Sequence, residues 1–424
     1  MAKRSKPEPS PATPSSPNNP VIPRRALLTG AAGTLGAAIL GRAAPAQTPA
    51  PQDIPADPTK VPGGPLSEVG SRSAFEQPRR MVQPQALSAS SRTPLQDLEG
   101  IVTPSDLHFE RHHAGVPKVD PRRYRLMIHG MVGRPMNFSL ADLKRYPQES
   151  RLYFIECSGN GGAGYRNVSP DRTPQQVDGL LSTSEWIGVS LATLFREVGV
   201  QSGASWFLAE GMDGAAMTRS IPVAKGMDDA LLAYGQNGEA LRPEQGYPVR
   251  LLLPGWEGNA SVKWLRRIEL SDAPFMTRQE TAKYSDPLPD CTARLFSFEM
   301  DAKSTLTFPV YPDVITPGWW EIKGLAWSGR GRITRVEVST DGGVTWHEAA
   351  LQEPVLSKCP TRFRFMWSWN GRETVLMSRA TDETGYVQPT REQLMQARGQ
   401  GTRYHFNNIR SWKVAAGGAV TLTE

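Results

Sequence analysis

Apolar positions along this chain recur with two different spacings, and the change between them divides it. From about residue 95 to residue 272, short apolar runs alternate with segments of helical period. Tyr124-Arg125-Leu126-Met127-Ile128-His129-Gly130 reads as a strand ending in a turn. Ser139 then offers an N-cap with Asp142 three residues on, opening a short helix that Pro147 stops. Ser190 likewise precedes Leu191, Leu194, Phe195 and Val198 at helical spacing, and Gly199 stands just past the end. Residues 230–234 and 249–253 read as strands, with Asn237-Gly238 as the strongest two-residue turn signal in the chain. Residues 95–272 are therefore expected to be an α+β domain.

Beyond about Pro274 the helical spacing vanishes. Phe363, Phe365, Trp367 and Trp369 alternate with Arg362, Arg364, Met366 and Ser368. Val336 and Val338 alternate with Arg335 and Glu337 ahead of a turn at Asp341-Gly342-Gly343. Short strands at this spacing predict an all-β, immunoglobulin-like sandwich over 273–424. Seven of the 11 tryptophans lie from Trp319 onward, and most are expected to fill its core.

Composition narrows the functional classes. With 39% hydrophobic and 21% charged residues, a global reading as disorder, collagen or coiled coil is excluded, and 37 prolines and 39 glycines argue against a helical bundle. The formal charge of +6 suggests an anionic partner until the charges are located. Residues 1–46 hold six of the 48 basic side chains but one of the 42 acidic ones, so the remaining chain is nearly neutral. No nucleic-acid partner is expected, because counterion release needs basic residues concentrated on the folded body.

That leader reads as an export signal. Pro23-Arg24-Arg25-Ala26-Leu27-Leu28 precedes a weakly apolar stretch through Leu40 and the small-x-small pattern Ala44-Pro45-Ala46. The pattern resembles a twin-arginine signal, the route for proteins exported already folded around a cofactor, with an ordinary secretory signal or a disordered basic tail as the alternative. The apolar stretch is too short to span a bilayer. A periplasmic location is the expectation. Residues 47–94, rich in Pro, Gln and Ser, read as an extended linker or surface arm, with folded structure starting near Leu95.

The densest chemistry sits in two segments. In Leu152-Tyr153-Phe154-Ile155-Glu156-Cys157-Ser158-Gly159-Asn160-Gly161-Gly162-Ala163-Gly164, an apolar strand delivers one cysteine to a glycine-rich loop that a bulky group can approach closely. Gly159, Gly161 and Gly164 formally satisfy GxGxxG, but residues 165–179 carry Pro170, Pro174 and no apolar period, so the helix a dinucleotide site requires is missing. Cys157 has three readings: a thiolate metal ligand, a nucleophile, or an inert buried residue. The second segment, Asp106-Leu107-His108-Phe109-Glu110-Arg111-His112-His113, reads as an anion site built on Arg111, as zinc ligands at His108 and His112, or as a solvated polar loop.

These segments resemble a known family. Phe109-Glu110-Arg111-His112-His113-Ala114-Gly115-Val116-Pro117, Glu156-Cys157-Ser158-Gly159-Asn160, Tyr247-Pro248-Val249-Arg250-Leu251 with Pro254-Gly255, and Val262-Lys263-Trp264-Leu265 occur in the order seen in sulfite oxidase type molybdenum enzymes. Arg122 to Val132, Gly235 to Pro248 and Gly324 to Gly331 look like the molybdenum subunit of sulfane dehydrogenases within that family. The resemblance implies a molybdopterin-binding domain followed by a dimerisation sandwich, and a molybdenum–molybdopterin cofactor. Cys157 would be the protein ligand to the metal, a soft donor suited to it. Arg111 would face the substrate anion, and Tyr284 would be the phenol beside the reacting oxygen. Phe109, Glu110, Arg111, His112, His113, Asp213, Gln245, Arg250, Ser261, Val262 and Lys263 would hold the pterin and its phosphate. The implied activity is addition of oxygen from water to sulfane sulfur on a carrier protein, in thiosulfate oxidation, with free sulfite as the alternative substrate.

Two departures bear on this. Where animal sulfite oxidases carry two arginines after the loop asparagine, this chain has Gly161 and Gly162, which is expected to open the pocket to a bulkier substrate. Gln245 replaces a histidine five residues before Arg250. With three cysteines and no CxxCH or CxxC, no haem is expected in this chain. An external haem partner is therefore expected, and the resemblance implies that it is a c-type, dihaem cytochrome in a heteromeric complex built on a homodimer, with exposed Trp and Arg side chains between Trp319 and Arg379 as part of its contact. Cys291 and Cys359, 68 residues apart, are expected to be dispensable; whether they pair is left open.

Overall fold

The computed structural model describes residues 59–61, 63–83, 87–166, 168–288, 290–399 and 401–423; the leader and its export reading lie outside the described residues. Described residues before Ser71 carry neither strand nor helix and are exposed. Residues from Ser71 on form one compact unit.

The first domain has two five-stranded sheets. In one, Glu149–Glu156, Leu181–Ser190 and Leu231–Gln236 are antiparallel neighbours, and Glu239–Ala240 and Arg250–Leu252 both pair with the last. The turn between Leu231–Gln236 and Glu239–Ala240 is Asn237-Gly238, both at positive φ, as its residue types predict. The other sheet runs Met136–Phe138, Leu126–Gly130, Leu265–Ser271, Trp206–Gly211, Thr218–Pro222, with the second and third strands parallel. Gly130 ends its strand because a Cβ there would lie 2.2 Å from the Leu270 carbonyl oxygen, at a φ of +90°. Helix Leu191–Val198 buries Leu191, Leu194, Phe195 and Val198 in the core that joins the two sheets. Each such side chain contributes roughly 1.5–3 kcal/mol.

The second domain stacks a four-stranded sheet (Lys303–Phe308, Gly318–Trp327, Thr361–Trp369, Ala350–Gln352) on a five-stranded one (His347–Glu348, Ile333–Ser339, Thr374–Asp382, Ser411–Val414, Val420–Thr423). Phe363, Trp367 and Trp369 point inward while Arg364, Met366 and Ser368 face solvent. Four of the seven late tryptophans, 327, 367, 369 and 412, are buried, whereas Trp319 is 71% exposed. Leu95, Phe154 and Leu181 pack with Met300, Leu325 and Trp327, and this shared cluster ties the two domains together.

Several expectations need correction. The arm is structured before Leu95: Met81–Val82, Ser90–Arg92 and Glu110–Arg111 form a three-stranded sheet, and Thr93 is fully buried. No apolar period announces this, because small hydroxyls do the holding; Thr93 Oγ1 lies 2.6 Å from Ser182 Oγ, and Ser91 Oγ accepts from the Glu110 N–H. The sandwich region contains a helix, Arg391–Arg398, capped by Thr390 and Gln393, and a π-turn at Gln279–Lys283. That helix is polar on most of its surface and buries Leu394 alone, which leaves no stripe to read. Short helices Ala163–Arg166 and Pro174–Asp178 occupy the stretch after the glycine-rich loop that showed no helical signal. Ser139 and Asp142 form the expected capping box, but Ser190 caps without a side-chain bond. It is the last residue of a strand, and the Ala230 carbonyl takes the Leu191 N–H at 2.9 Å.

Candidate active site

Strand Glu149–Glu156 sets the geometry. Successive side chains along its end point to opposite sides, so Glu156 enters the seam between the domains while Cys157 opens onto a cavity. That cavity is lined by Phe109, Arg111, His112, His113, Cys157, Asp213, Gln245, Arg250, Ser261, Val262, Lys263 and Tyr284. The structure thus brings together every residue that the resemblance implies for the site except Glu110, which stands one step behind: its carboxylate is 2.7 Å from His112 Nε2 and pairs with Arg80 from the arm. His108, Ile155, Met217, Asn259 and Trp264 also line the cavity. His108 stood in the recognised polar segment, but no sequence signal marks Met217 or Ile155 as lining residues.

The electrostatics are distinctive. Arg250 is buried, stacks over Trp186 at 5.1 Å, and donates to the carbonyls of Gln245 (3.1 Å) and Ser261 (3.0 Å); among the described residues its Nε has no hydrogen-bond partner. Burial pulls its guanidinium down to about 9. Lys263 Nζ donates to the Arg111 and Glu244 carbonyls and lies 2.9 Å from His112 Nδ1. Because the ammonium can only donate, Nδ1 accepts and Nε2 carries the proton toward Glu110. Burial, reinforced by the Arg250 charge, lowers the Lys263 pKa well below that of a free lysine. Among the described residues, neither cation has a carboxylate within ion-pair distance. Gln245 donates to the Phe109 carbonyl at 2.9 Å, so its amide fixes the segment that carries Arg111 to His113.

On the other wall, Tyr284 Oη is 3.2 Å from His113 Nε2, and Arg219 lies under the Tyr284 ring at 5.1 Å. Arg219 is clamped by Glu257 (2.8 Å) and Glu280 (3.0 Å), the latter in the π-turn that delivers Tyr284. Burial raises the Tyr284 phenol and, with the nearby Arg111 charge, pulls His113 down to about 4. Tyr284 is thus a protonated donor and His113 a neutral ring at neutral pH. Burial pushes the Cys157 thiol up, opposed by the Gly159 N–H and by Arg111. The Tyr404 ring lies against that of Tyr284 at 5.3 Å, tilted by 38°, and with Arg166 and Arg403 it forms a second opening beside Gly159. Sequence reasoning missed Arg403 and Tyr404 because they come from the far end of the chain.

The pair Gly161 and Gly162 does not widen this cavity. A Cβ at Gly161 would meet Arg410 Nη2 at 2.5 Å and Lys303 Nζ at 2.8 Å, and one at Gly162 would meet the Phe406 ring at 3.0 Å. The space is filled by side chains of the second domain, which corrects the expectation of an opened pocket. Cys291 is exposed and Cys359 buried, and both are free thiols.

The residues fit the implied cofactor. Two enclosed cations without acids need an anion such as a phosphate, and a single thiol opening onto the same cavity suits a soft metal. Among the described residues no group of three His, Cys, Asp or Glu side chains is placed to hold a metal ion, so a metal at Cys157 would draw most of its ligands from outside the chain. The histidine-ligated zinc reading finds no such group.

Fold and site together define a two-domain molybdopterin-binding oxidoreductase. Residues 113–279 match the oxidoreductase molybdopterin binding domain, and residues 294–411 match the Mo-co oxidoreductase dimerisation domain. Sulfite oxidase of Gallus gallus is 33% identical over 378 residues, covering 82% of this chain and 79% of that one. The mitochondrial sulfite oxidase of Mus musculus is 32% identical over 320 residues; the match spans 69% of this chain and 58% of the mouse protein. The crystal structure of the sulfane dehydrogenase SoxCD from Paracoccus pantotrophus superposes with a TM-score of 0.84 at 42% identity, covering 89% of this chain and 99% of that chain. The chain belongs to the sulfite oxidase family of molybdenum cofactor oxidoreductases.

Proposed function

We propose that the protein oxidises the outer sulfur of a persulfide borne on a carrier protein, in thiosulfate oxidation, and passes electrons to a c-type cytochrome. The observation that carries this is the cavity itself, with one thiol, two acid-free cations and a donor phenol, in a chain 42% identical to a sulfane dehydrogenase over nearly its whole fold. When bound, the molybdenum–molybdopterin group supplies a two-electron redox centre for oxygen addition to sulfur.

The chain's own residues do the rest. Cys157 would hold the metal as a thiolate, a form that burial disfavours and that the Gly159 N–H and the Arg111 charge favour. Arg250 and Lys263 hold the phosphate terminus, while Asp213, Ser261 and the Phe109 to His113 segment hold the pterin. Arg111 aligns the anionic sulfur, and Tyr284, kept protonated and oriented by His113 and Arg219, donates to the oxygen that gains charge. Each addition balances as R–S–S⁻ plus water giving R–S–SO⁻, two protons and two electrons. The electrons leave to the cytochrome, for which the exposed Trp319 face of the sandwich is a docking surface, in a heteromeric complex on a homodimer core. Residues 1–46 direct export to the periplasm by the twin-arginine route.

Free sulfite, oxidised to sulfate with water as the oxygen source, is the second reading, favoured by the likeness to sulfite oxidases. Elemental analysis of protein from a cofactor-competent host, then steady-state rates with a persulfidated protein against sulfite and a c-type cytochrome as acceptor, tests both. One molybdenum per chain and faster persulfide turnover support the proposal. Faster sulfite turnover selects the second reading, and absence of molybdenum overturns both.

A further inference from the structure

Behind Cys157, on the side of the strand away from the cavity, lies a charge cluster that the reaction does not use. Glu156, Asp178, Lys303 and Arg410 are all nearly inaccessible to solvent. Lys303 Nζ is 2.7 Å from Asp178 and 3.3 Å from Glu156, and Arg410 is 3.7 Å from Asp178. The second Glu156 oxygen accepts from Trp327 Nε1 at 2.7 Å. Two positive and two negative groups thus close on one another in the interior.

The cluster grips the cysteine loop directly. Glu156 accepts from Asn160 Nδ2 at 2.9 Å, and Asn160 in turn accepts the Leu180 N–H at 3.0 Å. Arg410 donates to the carbonyls of Gly161 (2.9 Å) and Gly164 (3.2 Å). The two glycines let these cations approach, for a Cβ at Gly161 would collide with both. Lys303, Trp327 and Arg410 all come from the sandwich, whereas the loop belongs to the first domain.

We propose that Lys303 and Arg410 are positioning residues for the Cys157 thiol: the sandwich holds the metal-binding loop in shape through this buried ion cluster, so the second domain completes the metal site as well as serving assembly. The Cβ of Cys157 is one residue from Glu156, and the loop turns back on it through the Asn160 N–H to Cys157 carbonyl bond at 2.8 Å. A loop released from Arg410 keeps its sequence neighbours and loses the external contacts that fix where the sulfur points.

This rests on the reading of Cys157 as the metal ligand, so the test includes a readout that needs no metal. In the full chain carrying Cys291→Ser and Cys359→Ala, expressed without cofactor, the rate of Cys157 alkylation by iodoacetamide is compared among Arg410, Arg410→Lys and Lys303→Met. Arg410→Lys keeps the charge and cannot reach both carbonyls. It is expected to remain folded by circular dichroism and to be alkylated at least tenfold faster. In holoenzyme the same variant is expected to hold less molybdenum and to show shifted g-values of the Mo(V) paramagnetic signal. A folded Arg410→Lys with unchanged alkylation rate and unchanged signal overturns the proposal. If Lys303→Met does not fold, Arg410→Lys decides alone. Wild-type protein that binds no molybdenum sinks the proposed function, while the alkylation comparison still reads whether the sandwich shapes the loop.

Discussion

Arg250 and the half-buried Lys263 on one side of the Cys157 strand, and the buried Lys303 and Arg410 on the other, are cations that the fold treats in opposite ways. The first pair is satisfied by carbonyls and a neutral imidazole, with no carboxylate in ion-pair range among the described residues. The second is matched charge for charge by Glu156 and Asp178. Burying an ion costs several kcal/mol unless a partner is supplied, so a cation without an acid reads as a site for an anion that arrives later. A cation with its acid reads as structure. The contrast separates ligand-binding from load-carrying charges in one chain without reference to any relative.

The comparison can be broken by experiment. Cys157→Ser, which touches the group both clusters serve, should stay folded and lose nearly all turnover, because a hydroxyl is a poor substitute for a thiolate; full activity would remove the metal-ligand assignment. Lys303→Met should destabilise the cofactor-free chain by about 3–5 kcal/mol in urea titrations, since it leaves Asp178 and Glu156 buried without their cation. Lys263→Met, by contrast, should change that stability by less than about 1 kcal/mol, the loss of two bonds to carbonyls being offset by relief of an unpaired buried charge. Inorganic phosphate at millimolar concentration should raise the melting temperature of wild type and of Lys303→Arg, but not of Lys263→Met. Equal penalties for the two lysine substitutions would erase the distinction.

A further effect concerns pH. His108, enclosed against Trp186 and the Phe109 carbonyl, is pulled by burial down to about 3. Its folded pKa lies below its unfolded one, so the unfolded chain takes up a proton first as pH falls. The contribution is full above about pH 6.5 and declines toward pH 3, by about 1.4 kcal/mol per pH unit at most. Urea midpoints of cofactor-free wild type and His108→Gln, measured at pH 7 and pH 5, should differ in pH dependence in that direction. An identical pH dependence would show that the fold does not lower the His108 pKa.

Local rules decided a good part of this molecule. The strand at Leu126–Gly130, the Ser139–Asp142 capping box, the Asn237-Gly238 turn and the inward Phe363, Trp367 and Trp369 follow from residue type and spacing, because backbone sterics and side-chain period act over a few residues. The single cysteine at the mouth of a glycine-rich loop, and the histidine–arginine segment before it, were visible as dense polar chemistry in an otherwise apolar setting. Tertiary structure alone decided that Phe109, Asp213, Arg250, Lys263 and Tyr284, spread over about half the chain, line one cavity. It alone placed Arg410 against Gly161, which turned an expected opening into a packed contact. It also set Tyr404 beside Tyr284 and folded the arm into a sheet with Glu110–Arg111. The reason is that sequence fixes what a side chain can do, whereas charge pairing, desolvation and space depend on neighbours brought from hundreds of residues away, and no local pattern encodes which neighbours those are.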